Sequence, residues 1–171
     1  MQKMSSLNTK FKLVIFFIIL NTLNSIYFSQ SSSPIESWEQ KADSLILCAK
    51  SQLGVPYQWA TSKPGISFDC SGFTYYVYTK FNIESSRRSG YYKNYGKSIP
   101  LSESRKGDCI LFTGAQNDDK SKGHIGIVLS NEKDKLNFIH CSSSSRHFGV
   151  VITEYYSSNY PRRFIEIRRI F

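Results

Sequence analysis

The hydrophobic period changes once along this chain, and that change limits the folds open to it. Up to about residue 80 the apolar residues recur at helical spacing; beyond Lys106 they come as short runs broken by turn residues. Trp38, Ala42, Leu45, Ala49 and Leu53 share one face of a predicted helix over 35–53, which Gly54 and Pro56 terminate. A second predicted helix, 70–80, carries aromatic residues on several sides and reads as centrally buried. Tyr75, Val77 and Tyr78 are poor to middling helix formers, so a strand is the competing reading there. Residues 82–98 read as irregular. Strands are expected at 109–112, 124–129, 136–141, 150–153 and 164–168. The turn 106–108 and the loops 113–123, 130–135 and 142–147 lie before and between them. Successive strands joined by turns predict an antiparallel sheet, and helices followed by strands predict an α+β domain, N-terminal helices packed on a C-terminal sheet.

The first 30 residues read as an export signal preceding one folded domain, 31–171. They hold Lys3, Lys10 and Lys12 but no acid, an apolar stretch Phe11–Leu20 broken only by Lys12, and small residues at 29–33 near a cleavage point. Asn21, Thr22, Asn24 and Ser25 cut the apolar run short of the roughly 20 residues a membrane span requires. The membrane is therefore expected to be met only during export. The formal charge is +9, and +6 without that segment. No Lys/Arg run exceeds two residues and no nucleic-acid motif is present, so nucleic acid is not an expected partner. The excess suits polyanionic surroundings such as anionic lipid or an anionic wall polymer, or simply a solvated basic surface.

Cys70 stands where a Gly/Pro-rich loop runs into the second predicted helix. A thiol at a helix N-terminus meets unpaired N–H groups and the positive end of the dipole, both of which favour the reactive thiolate. Cys48, Cys109 and Cys141 read as small buried hydrophobes, and without a C-x-x-C pair or paired His/Cys spacing no metal site is expected. A cysteine nucleophile needs a base held by a third polar group. The chain has only three histidines. His124 opens one strand and His140 lies one strand later. If those strands are antiparallel neighbours, both rings share a face, within reach of a helix start packed against it. His147 sits in a serine-rich loop without such support. From these residues alone, independent polar roles for His124 and His140 stay open.

Five segments in order resemble the NlpC-type cysteine peptidases of bacterial cell walls, a papain-like group, over about residues 45–171. Phe68-Asp69-Cys70-Ser71-Gly72-Phe73 resembles the nucleophile motif, and Gly54-Val55-Pro56-Tyr57-Gln58-Trp59 the segment before it. Lys106-Gly107-Asp108 resembles the glycine–aspartate turn, Gly123-His124-Ile125-Gly126-Ile127-Val128 the base motif, and Phe138-Ile139-His140 the third-residue motif. The resemblance implies a papain-like catalytic domain with Cys70 as nucleophile, His124 as general base and His140 orienting it. The Cys70 N–H and Tyr57 hydroxyl would form the oxyanion site. Asp69 and Ser71 would bind the free amino end of a stem peptide, and Arg87 a substrate carboxylate or a structural ion pair. It further implies a secreted, wall-associated, cofactor-free endopeptidase acting on peptidoglycan stem peptides, at the γ-D-glutamyl bond to diaminopimelate or lysine. An N-acetylmuramoyl-L-alanine amidase, another papain-like acyl transferase, or a non-catalytic wall-binding module are the alternatives. Oligomeric state is not legible. The chain departs from the pattern at Trp59-Ala60-Thr61, where the family often has two glycines after the Trp. Cys141, by strand alternation, should face away from His140.

Overall fold

The computed structural model describes residues 37–114 and 123–171. The expected export signal, the linker before the domain and most of the loop 113–123 lie outside the described residues.

Helix α1 spans Trp38–Lys50. Ser37 caps it in a capping box: its Oγ accepts from Gln40 N at 3.3 Å while Gln40 Oε1 accepts from Ser37 N at 3.0 Å. Ala42, Leu45, Ile46 and Ala49 form its buried face. The two ends of the predicted face behave differently. Trp38 and Leu53 are exposed, Leu53 because the helix has ended, while one face of the Trp38 ring is covered by the Arg105 guanidinium, 3.6 Å from the centroid. Cys48 is only partly buried, whereas Cys109 and Cys141 are fully buried as expected. Helix α2, Cys70–Thr79, buries Phe73, Thr74, Val77 and Tyr78 completely. Burying each large apolar side chain is worth about 2 kcal/mol, which outweighs the few tenths lost to weak intrinsic propensity. Packing thus decides for helix over strand. The Tyr78 hydroxyl, inside this core, donates to the Gly107 carbonyl at 3.1 Å.

Strands β1 (Ser62–Lys63) and β2 (Ser67–Phe68) form a small antiparallel ribbon just before α2. The main sheet contains β3 (Lys97–Ile99), β4 (Cys109–Phe112), β5 (His124–Glu132), β6 (Lys135–Ser144), β7 (His147–Glu154) and β8 (Phe164–Arg169). Its order is β3-β8-β4-β5-β6-β7, with every neighbour antiparallel. The sheet and the early helices are as expected. The ribbon, strand β3 and the 3₁₀ helix Ser89–Asn94 fall in stretches read as loop. Strands β5 to β7 run further than their apolar cores, because the intervening turns tighten to Lys133-Asp134 and Ser145-Arg146.

One core lies between the helices and the sheet and unites Leu45, Phe73, Val77, Ile125, Ile127, Ile139 and Cys141. A second, on the other face, unites Ile110, Phe112, Val128, Phe138, Tyr155 and Ile167. Strand β4 is buried on both faces, which explains its unbroken apolar run. The glycine–aspartate turn ties the sheet together. Asp108 is buried, accepts from Arg105 N at 2.9 Å, and takes both Nε and Nη2 of Arg169 at 3.0 and 2.9 Å.

Candidate active site

Asp69 starts α2. Its Oδ1 accepts from Gly72 N at 2.6 Å, fixing Cys70 in the first helical turn. The same carboxylate takes Arg87 in a two-pronged ion pair, Nη1 to Oδ1 at 3.2 Å and Nη2 to Oδ2 at 2.8 Å. Ser71 Oγ lies 3.0 Å from Asp69 Oδ1 and 2.8 Å from the Arg87 carbonyl. Asp69, Ser71 and Arg87 thus sit beside Cys70 as a closed polar cluster. A substrate ammonium approaching Asp69 would share the carboxylate with Arg87 and the helix cap. Gly72 is required here, since a Cβ would run into the Arg87 guanidinium and the Thr61 carbonyl.

The loop before the ribbon is pinned to the free edge of β7. Gly54 N donates to Val150 O and Val150 N donates to Val55 O, both at 2.9 Å. Phe68 N donates to Pro56 O at 3.1 Å and Gln58 N to Phe68 O at 2.8 Å, which sets Tyr57 next to the start of α2. Burial, and then the neighbouring Cys70, Asp69 and Cys141 charges, push the Tyr57 phenol up to about 12, so it stays a donor. Ala60 occupies the left-handed region at φ +59°. A glycine would sit there without the Cβ penalty, which accounts physically for the glycine common at this position.

His124 and His140 come together as the strand pairing predicts. Ile127 pairs with Ile139, and this register sets His140 across from Gly126 and diagonal to His124. A Cβ at Gly126 would lie 3.2 Å from the His140 Cβ and 2.8 Å from Phe138 Cδ2, so the glycine makes room for the ring. His124 Nε2 and His140 Nδ1 are 2.8 Å apart, with the rings nearly perpendicular. His140 is buried and stacks on Phe138.

One expectation needs correction. Alternation places the two rings on the face carrying Phe112 and Phe138, whereas α2 packs on the opposite face, against Ile125, Ile127, Ile139 and Cys141. Cys70 and His124 meet at the end of the sheet, where both line one groove of about 1500 Å³. The Ile125 N–H, next in sequence to His124, is among the groups that favour the Cys70 anion.

Burial dominates the electrostatics. It pushes the Cys70 thiol up to about 11, with Asp69 adding to the rise, while the N–H groups of Ser71, Ile125 and Cys70 pull the other way and lose. Burial, then Arg163, lowers His124 to about 3. His140 is likewise held well below the usual imidazole range, by burial first and then by His124, Arg163 and His147. Burial thus favours a thiol and two neutral imidazoles in the ligand-free site, against the pull of the helix terminus toward thiolate.

Three further residues border the site that no local sequence signal marks. Thr153 Oγ1 is 2.9 Å from His140 Nε2. The Tyr160 hydroxyl is 3.5 Å from both His124 Nε2 and His140 Nδ1, and its ring stacks on His124. Arg163 anchors the Tyr160 segment by donating from Nε and Nη2 to the Thr113 carbonyl at 3.2 and 2.7 Å. The groove is walled by Trp59, Ala60 and Tyr91 and by the hydroxyls of Ser142 to Ser145. Cys141 points into the helix-side core, its Sγ donating to the Phe68 carbonyl at 3.2 Å, as alternation required. Among the described residues no cluster of three or more His, Cys, Asp or Glu could hold a metal ion.

Comparison with known proteins agrees with this architecture. The chain is 34% identical over 127 residues to the gamma-D-glutamyl-L-lysine dipeptidyl-peptidase of Bacillus cereus, covering 74% of this chain and 35% of that protein. It is 34% identical over 119 residues to murein DD-endopeptidase MepS/murein LD-carboxypeptidase of Escherichia coli, covering 68% and 56%. It spans about a third to a half of the first such relatives' lengths. A crystal structure of a NlpC/P60 family protein from Bacillus cereus superposes with TM-score 0.64 at 32% identity, covering 75% of this chain and 40% of that one. NlpC1 of Trichomonas vaginalis superposes with TM-score 0.64 at 26% identity, covering 80% and 46%. The NlpC/P60 family profile matches residues 54–169, from the loop that carries Tyr57 to the last strand, and the chain belongs to that family.

Proposed function

We propose that this protein is a cysteine endopeptidase that hydrolyses peptidoglycan stem peptides, with Cys70 as nucleophile, His124 as general base and His140 as its orienting partner. The observation that carries the reading is the 2.8 Å contact of His124 Nε2 with His140 Nδ1 at the groove that Cys70 also lines. His140 occupies Nε2, so the proton from the thiol goes to His124 Nδ1. The relatives' names divide between a γ-D-glutamyl-L-lysine dipeptidyl-peptidase and murein DD-endopeptidases. We assign the γ-D-glutamyl bond to diaminopimelate or lysine as the one cleaved.

The chemistry follows from the neutral resting state. With substrate bound and water displaced, the Cys70 S–H proton passes to His124 Nδ1 as the sulfur attacks the amide carbon. Negative charge develops on the former carbonyl oxygen. The Cys70 N–H at the helix start and the Tyr57 O–H, protonated at neutral pH, donate to it. The imidazolium returns its proton to the leaving amine as the C–N bond breaks, leaving a thioester on Cys70. His124 then takes a proton from water, hydroxide adds to the thioester carbon, and the acid leaves while Cys70 regains its proton. Asp69 and Arg87 brace the helix start throughout.

Residues 1–30 act in this reading as a cleaved export signal that delivers the domain, 31–171, to the cell wall. Incubation of the purified protein with muropeptides, followed by mass spectrometry, tests the reading. Cleavage between γ-D-glutamate and the third stem residue is expected, a free lactyl group would mean an amidase, and cross-linked product would mean a transferase.

A further inference from the structure

We infer that Thr153 is a positioning residue whose hydroxyl accepts from His140 Nε2–H and so allows the proton order in which His124 Nδ1 keeps its lone pair. The inference rests on the proposed roles of Cys70, His124 and His140 and extends them by one strand.

The three side chains form a diagonal line across three neighbouring strands. In the β6–β7 ladder Phe138 pairs with Thr153 and His140 with Val151, so Thr153 stands on the His140 face, one diagonal step away. His124 stands one diagonal step away on the other side, in β5. The contacts are continuous: Thr153 Oγ1 to His140 Nε2 at 2.9 Å, then His140 Nδ1 to His124 Nε2 at 2.8 Å.

Two neutral imidazoles in a chain can carry their protons in only two consistent orders. In the first, His140 Nε2–H donates to Thr153 Oγ1, His124 Nε2–H donates to His140 Nδ1, and His124 Nδ1 is free to accept the thiol proton. In the second, Thr153 donates to His140 Nε2, His140 Nδ1–H donates to His124 Nε2, and the His124 proton sits on Nδ1, where it blocks base function. An acceptor at Thr153 is what makes the first order available in a ring as buried as His140, because an unanswered N–H there is costly. The other groups facing His140 do not supply that acceptor. Tyr160 lies at Nδ1, not Nε2, and Arg163 and His147 act on the ring only through charge that keeps it neutral.

The test uses the full chain with the isosteric variant Thr153→Val and the hydroxyl-retaining variant Thr153→Ser. Ring-nitrogen NMR of protein labelled in histidine reports the tautomers directly, without turnover, and muropeptide hydrolysis reports kcat and KM. The expected wild-type signature is a protonated Nε2 on both His124 and His140. Thr153→Val is expected to shift both rings toward the Nδ1-protonated form and to lower kcat about ten- to hundredfold with little change in KM. Thr153→Ser should recover most of that loss. Wild-type tautomers and kcat in a folded Thr153→Val protein would overturn the inference, as would failure of Thr153→Ser to recover either. Absence of muropeptide cleavage by wild type would count against the proposed reaction alone, since the tautomer measurement stands without it.

Discussion

Gly126→Ala is the perturbation whose outcome the geometry fixes most closely. The added methyl would sit 2.8 Å from Phe138 Cδ2, 3.0 Å from the Ile139 carbonyl oxygen and 3.2 Å from His140 Cβ. Two of these neighbours belong to fully buried core side chains and one to sheet backbone, so none can swing away into solvent. Overpacking of this kind costs about 1–3 kcal/mol. Removing a glycine from the unfolded chain returns about 0.4–1 kcal/mol. The net loss is therefore centred on about 1 kcal/mol and at most about 2.6, which lowers Tm by roughly 3–5 °C at the centre of that range for a domain of this size. The functional effect should exceed the structural one. His140 must retreat from β5, and its 2.8 Å contact with His124 has little room to lengthen before the hydrogen bond fails. A drop in kcat of about tenfold or more is expected in muropeptide hydrolysis, with the variant still folded by circular dichroism. A Gly126→Ala protein with unchanged Tm and full kcat would refute the claim that this glycine makes room for the histidine pair.

Other outcomes follow from the same structure. Ala60→Gly should raise stability by about 0.5–1 kcal/mol, the relief of a left-handed φ less the glycine's added unfolded-chain entropy, read as a higher denaturation midpoint. Arg87→Met leaves the Asp69 carboxylate buried with only its cap hydrogen bonds. Since Arg87 is one-third exposed, the cost should be about 2 kcal/mol, below that of a fully buried pair, and visible as a lower urea midpoint. His124 takes up its proton at about 3 in the fold against 6.5 when exposed, so between pH 6.5 and about 3 only the unfolded chain binds it. Stability should be full above pH 6.5 and fall from there toward pH 3, and His124→Gln should flatten that decline in thermal melts across pH. Iodoacetamide should label Cys70 of the ligand-free protein at pH 7 more slowly than a free cysteine, since its thiol is held up at about 11; faster labelling would mean a standing thiolate.

The features legible in the sequence were those set by local chemistry. The period of α1, the apolar runs of β4 to β8 and the antiparallel pairing of β5 with β6 follow from patterning, and that pairing was enough to bring His124 to His140, whereas α2 needed packing to decide it over a strand. The features that stayed hidden depend on partners distant in sequence. Thr153 is an ordinary strand residue until the β6–β7 register sets it beside His140. Tyr160 and Arg163 sit in a short 3₁₀ turn without periodicity, and only folding brings them over the histidines. Arg87 was legible as a partner for a substrate carboxylate or a structural ion pair, but only folding identifies Asp69, 18 residues away, as the carboxylate it meets. The balance acting on the Cys70 thiol stayed hidden for a related reason. The helix terminus acts locally and can be read from sequence, but desolvation is a property of the assembled site, and here it is the larger effect.

The central claim is that Cys70, through His124 and His140, cleaves the peptidoglycan stem. Mass spectrometry of a muropeptide digest with wild type beside Cys70→Ala tests it most directly. The account predicts new fragments ending in γ-D-glutamate, with the complementary amine fragment, from wild type and none from Cys70→Ala. Intact stems after wild-type digestion, or the same fragments from both proteins, would contradict it.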